Sequence, residues 1–288
     1  MEPRFESVDR DHLAWMLTAL DGRIESELEE NDYRLHRDYV ARAQLRFAAG
    51  FDSGDVHHDL LWAARCLSFN EGLHFMKVPP ERFRSRRIDP LELAAGSGDA
   101  QLARNVAERY GLPIATLLAD LADEDVKREI RTVTRLFDGP AEDALDVAGL
   151  GAIAYCAGLA AILRGFDDEA MLAVQLFRDA CAASPHGEGS EGPVGRYKAL
   201  ISLLELVASG DLPGAAATVG ELVVAHHESL RVDLPEADWV KPRVAPRYFD
   251  LMSVAFAAIL AERGEALDVE ALPDAAAPYR DLLRVEAT

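Results

Sequence analysis

A chain of 288 residues, 49% of them apolar, buries roughly three quarters of its unfolded surface when compact, so a core forms without disulfides or metals. Fifty acids against thirty bases leave a net charge of −20, which disfavours nucleic acid and anionic membranes and favours a basic partner. Three cysteines (Cys66, Cys156 and Cys181) with no CxxC spacing argue against a disulfide framework and for a reducing, cytoplasmic compartment.

The N-terminus, MEPRFESVDRDH, has no apolar core of a signal peptide. Residues 8–30 then read as a helix, with Leu13, Met16, Leu17, Leu20, Ile24 and Leu28 on one stripe. Its far end, 25–32, is strongly acidic. A helix over 37–49 ends at Gly50, and another runs from 55 to about 75. Residues 78–90 read as a loop, because Pro79 and Pro80 forbid helix there; Lys77, Arg82, Arg84, Arg86 and Arg87 make it basic. A short hairpin, 91–95 and 99–110, surrounds Gly98, and helices over 113–121 and 125–137 follow. Gly139-Pro140 is the expected boundary if the single all-helical domain, 1–288, divides into halves 1–138 and 141–288.

Beyond it, 142–163 and 167–183 form a hairpin around Gly165. The apolar stretch 147–163 is rich in glycine and alanine and ends at Arg164, short of the roughly 18–20 strongly apolar residues of a membrane span. Residues 184–195 are a glycine-rich loop. Helices over 196–208 and 212–230 flank Gly210. A second proline-bearing basic loop, 231–246, carries Trp239, Lys241 and Arg243. The last long helix, 248–263, ends before Gly264, and a short helix at 279–284 follows. Five turns thus share one chemistry: a glycine suited to the left-handed position past a helix end, then an acid suited to the next helix start. No period-two strands are found. The fold class is all-α, an irregular stack of antiparallel helical hairpins whose uneven spacing excludes a strict repeat array.

Candidate chemistry is sparse. His58-Asp59 resembles the metal-binding pair of the all-helical HD phosphohydrolases, with His36 as the upstream partner. Against this, the dyad opens a helix, no downstream aspartate stands out, and Asp59 reads as a first-turn acid. His226 and His227 are adjacent and point about 100° apart, unlike metal pairs at i,i+3 or i,i+4. Asp167-Asp168-Glu169 reads as helix capping. No phosphate-cradling loop, nucleophile elbow or zinc-protease motif is present. The chain therefore reads as a non-enzyme with no cofactor. The arginines of 82–87 read mainly as neutralisers of neighbouring acids.

Three stretches carry a family resemblance: DVHHDLLWAARCLSFNEGLHF (55–75), ALISLLELVASGDLPGAAATVGELVVAHHESL (199–230) and RYFDLMSVAFAAILAERGEALDVEALP (247–273). They resemble the all-helical immunity proteins of bacterial polymorphic-toxin systems, the immunity protein 49 family in particular. The resemblance implies a cytoplasmic protein that binds a cognate toxin and neutralises it by occlusion. Charge adds the expectation that this toxin is basic. The acidic segments supply the expected contacts, Glu25, Glu27, Glu29, Glu30 and Asp32 in one, Asp120, Asp123, Glu124 and Asp125 in the other. Trp239 joins them as a hot-spot residue type. Two alternatives stay open: a helical-repeat adaptor or regulatory scaffold, and a metal-dependent hydrolase built on His36, His58 and Asp59.

Overall fold

The computed structural model describes residues 4–5, 9–30, 35–74, 88–110, 142–183, 192–233 and 248–284. Those residues form eleven α-helices and one 3-10 turn, with no strand among them: the fold is all-α. In chain order they are α1 (Arg10–Glu30), α2 (Leu35–Ala48), α3 (Ser53–His74), α4 (Ile88–Gly96), α5 (Ala100–Tyr110), α6 (Glu142–Leu163), α7 (Asp167–Ala183), α8 (Gly192–Ala208), α9 (Leu212–Asp233) and α10 (Leu251–Glu262). The 3-10 turn, Asp274–Tyr279, leads into the short α11 (Arg280–Leu283). The expected helices at 113–121 and 125–137, the basic loops and the Gly139-Pro140 boundary lie outside the described residues. No helix among the described residues is long and apolar enough to cross a membrane.

The glycine turns form as their chemistry requires. Gly50, Gly98, Gly165, Gly210 and Gly264 have φ of 78°, 75°, 77°, 81° and 85°, a conformation that costs other residues a Cβ clash. Past Gly50, the Phe51 amide reaches back to the Arg46 carbonyl at 3.0 Å and the Gly50 amide to that of Phe47 at 3.1 Å. The same paired closure recurs at Gly165, Gly210 and Gly264, so the last carbonyls of each helix are satisfied. At two of these turns the following acid caps the next helix, whereas no helix starts between Gly264 and the 3-10 turn at Asp274. Asp52 accepts from the Gly54 amide at 2.7 Å and Asp211 from the Gly214 amide at 3.1 Å.

Several helix starts differ from the sequence expectation: α1 begins at Arg10 rather than 8, α2 at Leu35 rather than 37 and α3 at Ser53 rather than 55. α4 begins at Ile88 rather than 91, and α8 at Gly192 rather than 196. Pro90 and Pro193 sit in the first turns, where the missing N–H has no helical partner to lose, so proline there belongs to the helix and not to the loop before it. α10 starts at Leu251 rather than 248, because the Asp250 side chain caps it, accepting from the Ser253 amide at 3.0 Å and hydroxyl at 2.7 Å.

The chain divides into two compact units. The first comprises Met1–Met76, Glu92–Ala100 and Ala216–Thr288; the second comprises Lys77–Leu91 and Gln101–Ala215. In the first, α3 packs along α2, and α1 lays its stripe of Leu13, Met16, Leu17, Leu20 and Ile24 into the core. Phe47 at the end of α2 is fully buried among Phe249 (ring centroids 5.5 Å apart), Tyr279 (5.3 Å) and Phe5 (6.0 Å). Arg4 lies over the same ring at 4.9 Å and donates to the carbonyls of Phe51 and Pro278 at 3.0 and 2.9 Å. Burial lowers its pKa, with Asp281 and Asp52 opposing. The N-terminal segment is thereby fastened to the C-terminal turn. Gln44, also buried, satisfies both ends of its amide on the Phe249 backbone at 2.9 and 3.1 Å. The two ring nitrogens of His57 lie 2.8 Å from the Gly96 carbonyl oxygen and 3.2 Å from that of Leu282, tying α3 to the C-terminal ends of α4 and α11.

Burial drives the hydroxyl pKa of both Tyr248 and Tyr279 well above the ordinary phenol value. A raised folded-state pKa means the folded form holds the proton more tightly. The stability from these rings is full below the unfolded value of about 10 and is lost as pH rises beyond it. An alkaline titration should therefore end in a tyrosinate step coincident with loss of helical circular dichroism. Complete tyrosinate absorbance with the helical signal intact would contradict this.

In the second unit α6 packs against both α7 and α8, and every residue from 151 to 163 on it is buried. Ile153 and Ala157 meet Ala173 and Leu176 of α7. Close approach depends on Gly151, where a Cβ would stand 2.7 Å from the Tyr197 Cβ and 2.8 Å from the Phe177 ring. Gly151→Val should cost about 1–3 kcal/mol of unfolding free energy by chemical denaturation, the range for overpacking a filled core. An unchanged denaturation midpoint would mean that α6 and α8 are not in contact there.

Candidate partner-binding site

The most polar part of the described interior is built on α1, α2 and α3. Asp59 is fully buried, yet three guanidinium nitrogens serve its carboxylate: Arg42 Nε and Nη2 at 3.1 and 2.7 Å from Oδ1, and Arg46 Nη1 at 3.2 Å. Arg42 extends the chain of charges to Asp21 of α1 at 2.8 Å, and its guanidinium rests over the Tyr39 ring. Arg23 pairs in the same way with the buried Asp38. Burial pushes the Asp59 carboxyl up from the ordinary carboxylate range, while the hydrogen bond and charge of Arg42, and the charges of Arg46 and His58, pull it back. For Arg42, burial opposes the charge, but the hydrogen bonds to Asp59 and Asp21 outweigh it and leave its pKa raised.

This corrects the reading of Asp59 as a first-turn acid. α3 starts at Ser53, so Asp55 occupies the first turn and Asp59 lies in the second, pointing into the interior. His58 points elsewhere and accepts from the Trp62 indole at 3.0 Å. His36, His58 and Asp59 do not gather into a metal-holding set, and no group of three such ligands is assembled among the described residues. The Asp59 oxygens already serve two arginines, so the cluster is a structural ion network joining three helices.

Of the acidic contact residues, Glu25 is on α1 and exposed. Glu27, Glu29 and Glu30 belong to the same helix, but their side chains fall outside what is described. Asp32, Asp120, Asp123, Glu124, Asp125, Trp239 and the arginines of 82–87 lie wholly outside the described residues. The structure adds a residue that the sequence reading passed over. Trp15 is 58% exposed, the largest exposure among the big apolar side chains described. The stripe of core residues on α1 leaves position 15 on the opposite side, so a helical wheel carries the signal.

A groove of about 440 Å³ lies between α7 and α8, lined by Phe177, Cys181, Lys198, Ile201, Ser202 and Glu205. The Cys181 thiol is pushed up by burial, Lys198 opposing, which leaves it a poor nucleophile at neutral pH. All three cysteines are free thiols.

Comparison with known proteins finds no matching family model, no matching curated protein and no matching solved structure.

Proposed function

We propose that this chain is a cytoplasmic immunity protein that binds a basic bacterial toxin and blocks it by occlusion. The observation that supports it best is the charge of −20 on a folded chain whose most buried carboxylates, Asp38 and Asp59, are neutralised internally. An acidic excess of that size speeds capture of a basic partner, an effect that weakens with salt. The resemblance of 55–75, 199–230 and 247–273 to the immunity protein 49 family points the same way. In this reading the helix pairs stack irregularly, and function lies on their outer faces. Co-purification with the product of the adjacent gene tests it: a toxic neighbour that binds this chain supports the reading, and a harmless, non-binding neighbour defeats it.

The groove between α7 and α8 favours a second reading, an adaptor that holds a peptide. A bulky thiol label on Cys181 separates the two. It leaves toxin neutralisation intact in the first reading and abolishes partner binding in the second.

A further inference from the structure

Resting on the immunity reading, we propose that the outer face of α1, centred on Trp15, is the surface that docks the basic partner. Exposed positions recur along α1 at Asp11, Trp15, Thr18, Gly22 and Glu25, three or four residues apart, so they share one face of the helix. Trp15 sits at the middle of its N-terminal half, with the indole stacked on His12 at 5.8 Å. Two turns further along the same face, at Gly22, nothing lies within 4 Å of the Cβ position. The face thus presents a projecting ring and, two turns away, one position without a side chain.

Charge selects the partner. Arg23 is spent on Asp38, and Asp21 is engaged by Arg42. Among the described residues from 9 to 25, the exposed charges left are Asp9, Asp11 and Glu25 against Arg10. An apolar anchor with an acidic rim fits a basic protein surface with a pocket for the indole. Trp62 is a different case. At 36% exposure it is held by Tyr39 stacking at 6.1 Å, by the His58 hydrogen bond and by Arg65. It is part of the packing between α2 and α3.

The test titrates the product of the adjacent gene, if basic and toxic, against four proteins: wild type, Trp15→Ala, Glu25→Arg and Leu172→Ala. Leu172, 56% exposed on α7, controls for loss of any surface apolar group. Trp15→Ala should weaken binding by about 30-fold or more, the loss expected of a central aromatic anchor. Glu25→Arg should slow association and flatten its salt dependence; Leu172→Ala should change nothing. In a Trp62→Phe, Trp239→Phe background the remaining Trp15 emission should shift to the blue on complex formation. Wild-type binding that Trp15→Ala leaves intact, with no emission shift, overturns the α1 surface and spares the immunity reading. Failure of the wild type to bind overturns both.

Discussion

Asp59→Ala should lower the unfolding free energy by about 3 kcal/mol, the range for removing one partner of a buried ion network. The loss has two sources. Asp59 is fully buried, so its truncation leaves a void where a carboxylate was. Arg42 and Arg46, 13% and 19% exposed, are then left facing each other without the anion that joins them. Asp59→Asn keeps the volume and removes the charge. It should recover part of the packing and little of the electrostatic stabilisation. Urea denaturation of the three proteins, with α2 and α3 amide exchange as the local probe, measures both. Equal stability of Asp59→Asn and wild type would show that the Asp59 charge contributes nothing.

Phe47→Ala should cost about 4 kcal/mol, the middle of the range for deleting a fully buried aromatic ring. Phe47 is where the chain's distant segments meet. Phe249 approaches edge-on, Tyr279 stacks at 29°, and Phe5 and Arg4 bring in the N-terminus. Removing it empties a space that none of these rings can fill alone. Besides the fall in denaturation midpoint, the α2 amides should lose exchange protection, and cleavage near residue 5 by an added protease should accelerate. Phe47→Leu keeps much of the volume and should recover more than half of the loss. A Phe47→Ala protein as stable as wild type would show that the N- and C-terminal segments are not joined through this ring.

The helix ends were the most legible feature of the sequence, because a glycine followed by an acid allows few alternatives. Gly165 and Gly210 take up positive φ, and α6 and α7 run over the residues the pattern predicts. Boundaries near proline were harder, since Pro90 and Pro193 serve a first helical turn as readily as a loop. The ion network was not legible. Arg42 and Asp59 are 17 residues apart on separate helices, and only the register between α2 and α3 brings them together. Placing the start of α3 at 55 instead of Ser53 disguised Asp59 as a capping residue. Trp15 was within reach, because it lies off the stripe formed by Leu13, Met16, Leu17, Leu20 and Ile24. An acid-rich helix end drew the reading to Glu25 and its neighbours instead, where charge is visible in composition but shape is not.

The proposed function is occlusion of a basic toxin by this chain. It is tested most directly by measuring the toxic activity of the adjacent gene's product as this chain is added in increasing amounts. Activity should fall to zero near equimolar chain, with Trp15→Ala requiring a large excess and high salt slowing the inhibition. Full toxin activity in the presence of saturating chain would contradict it.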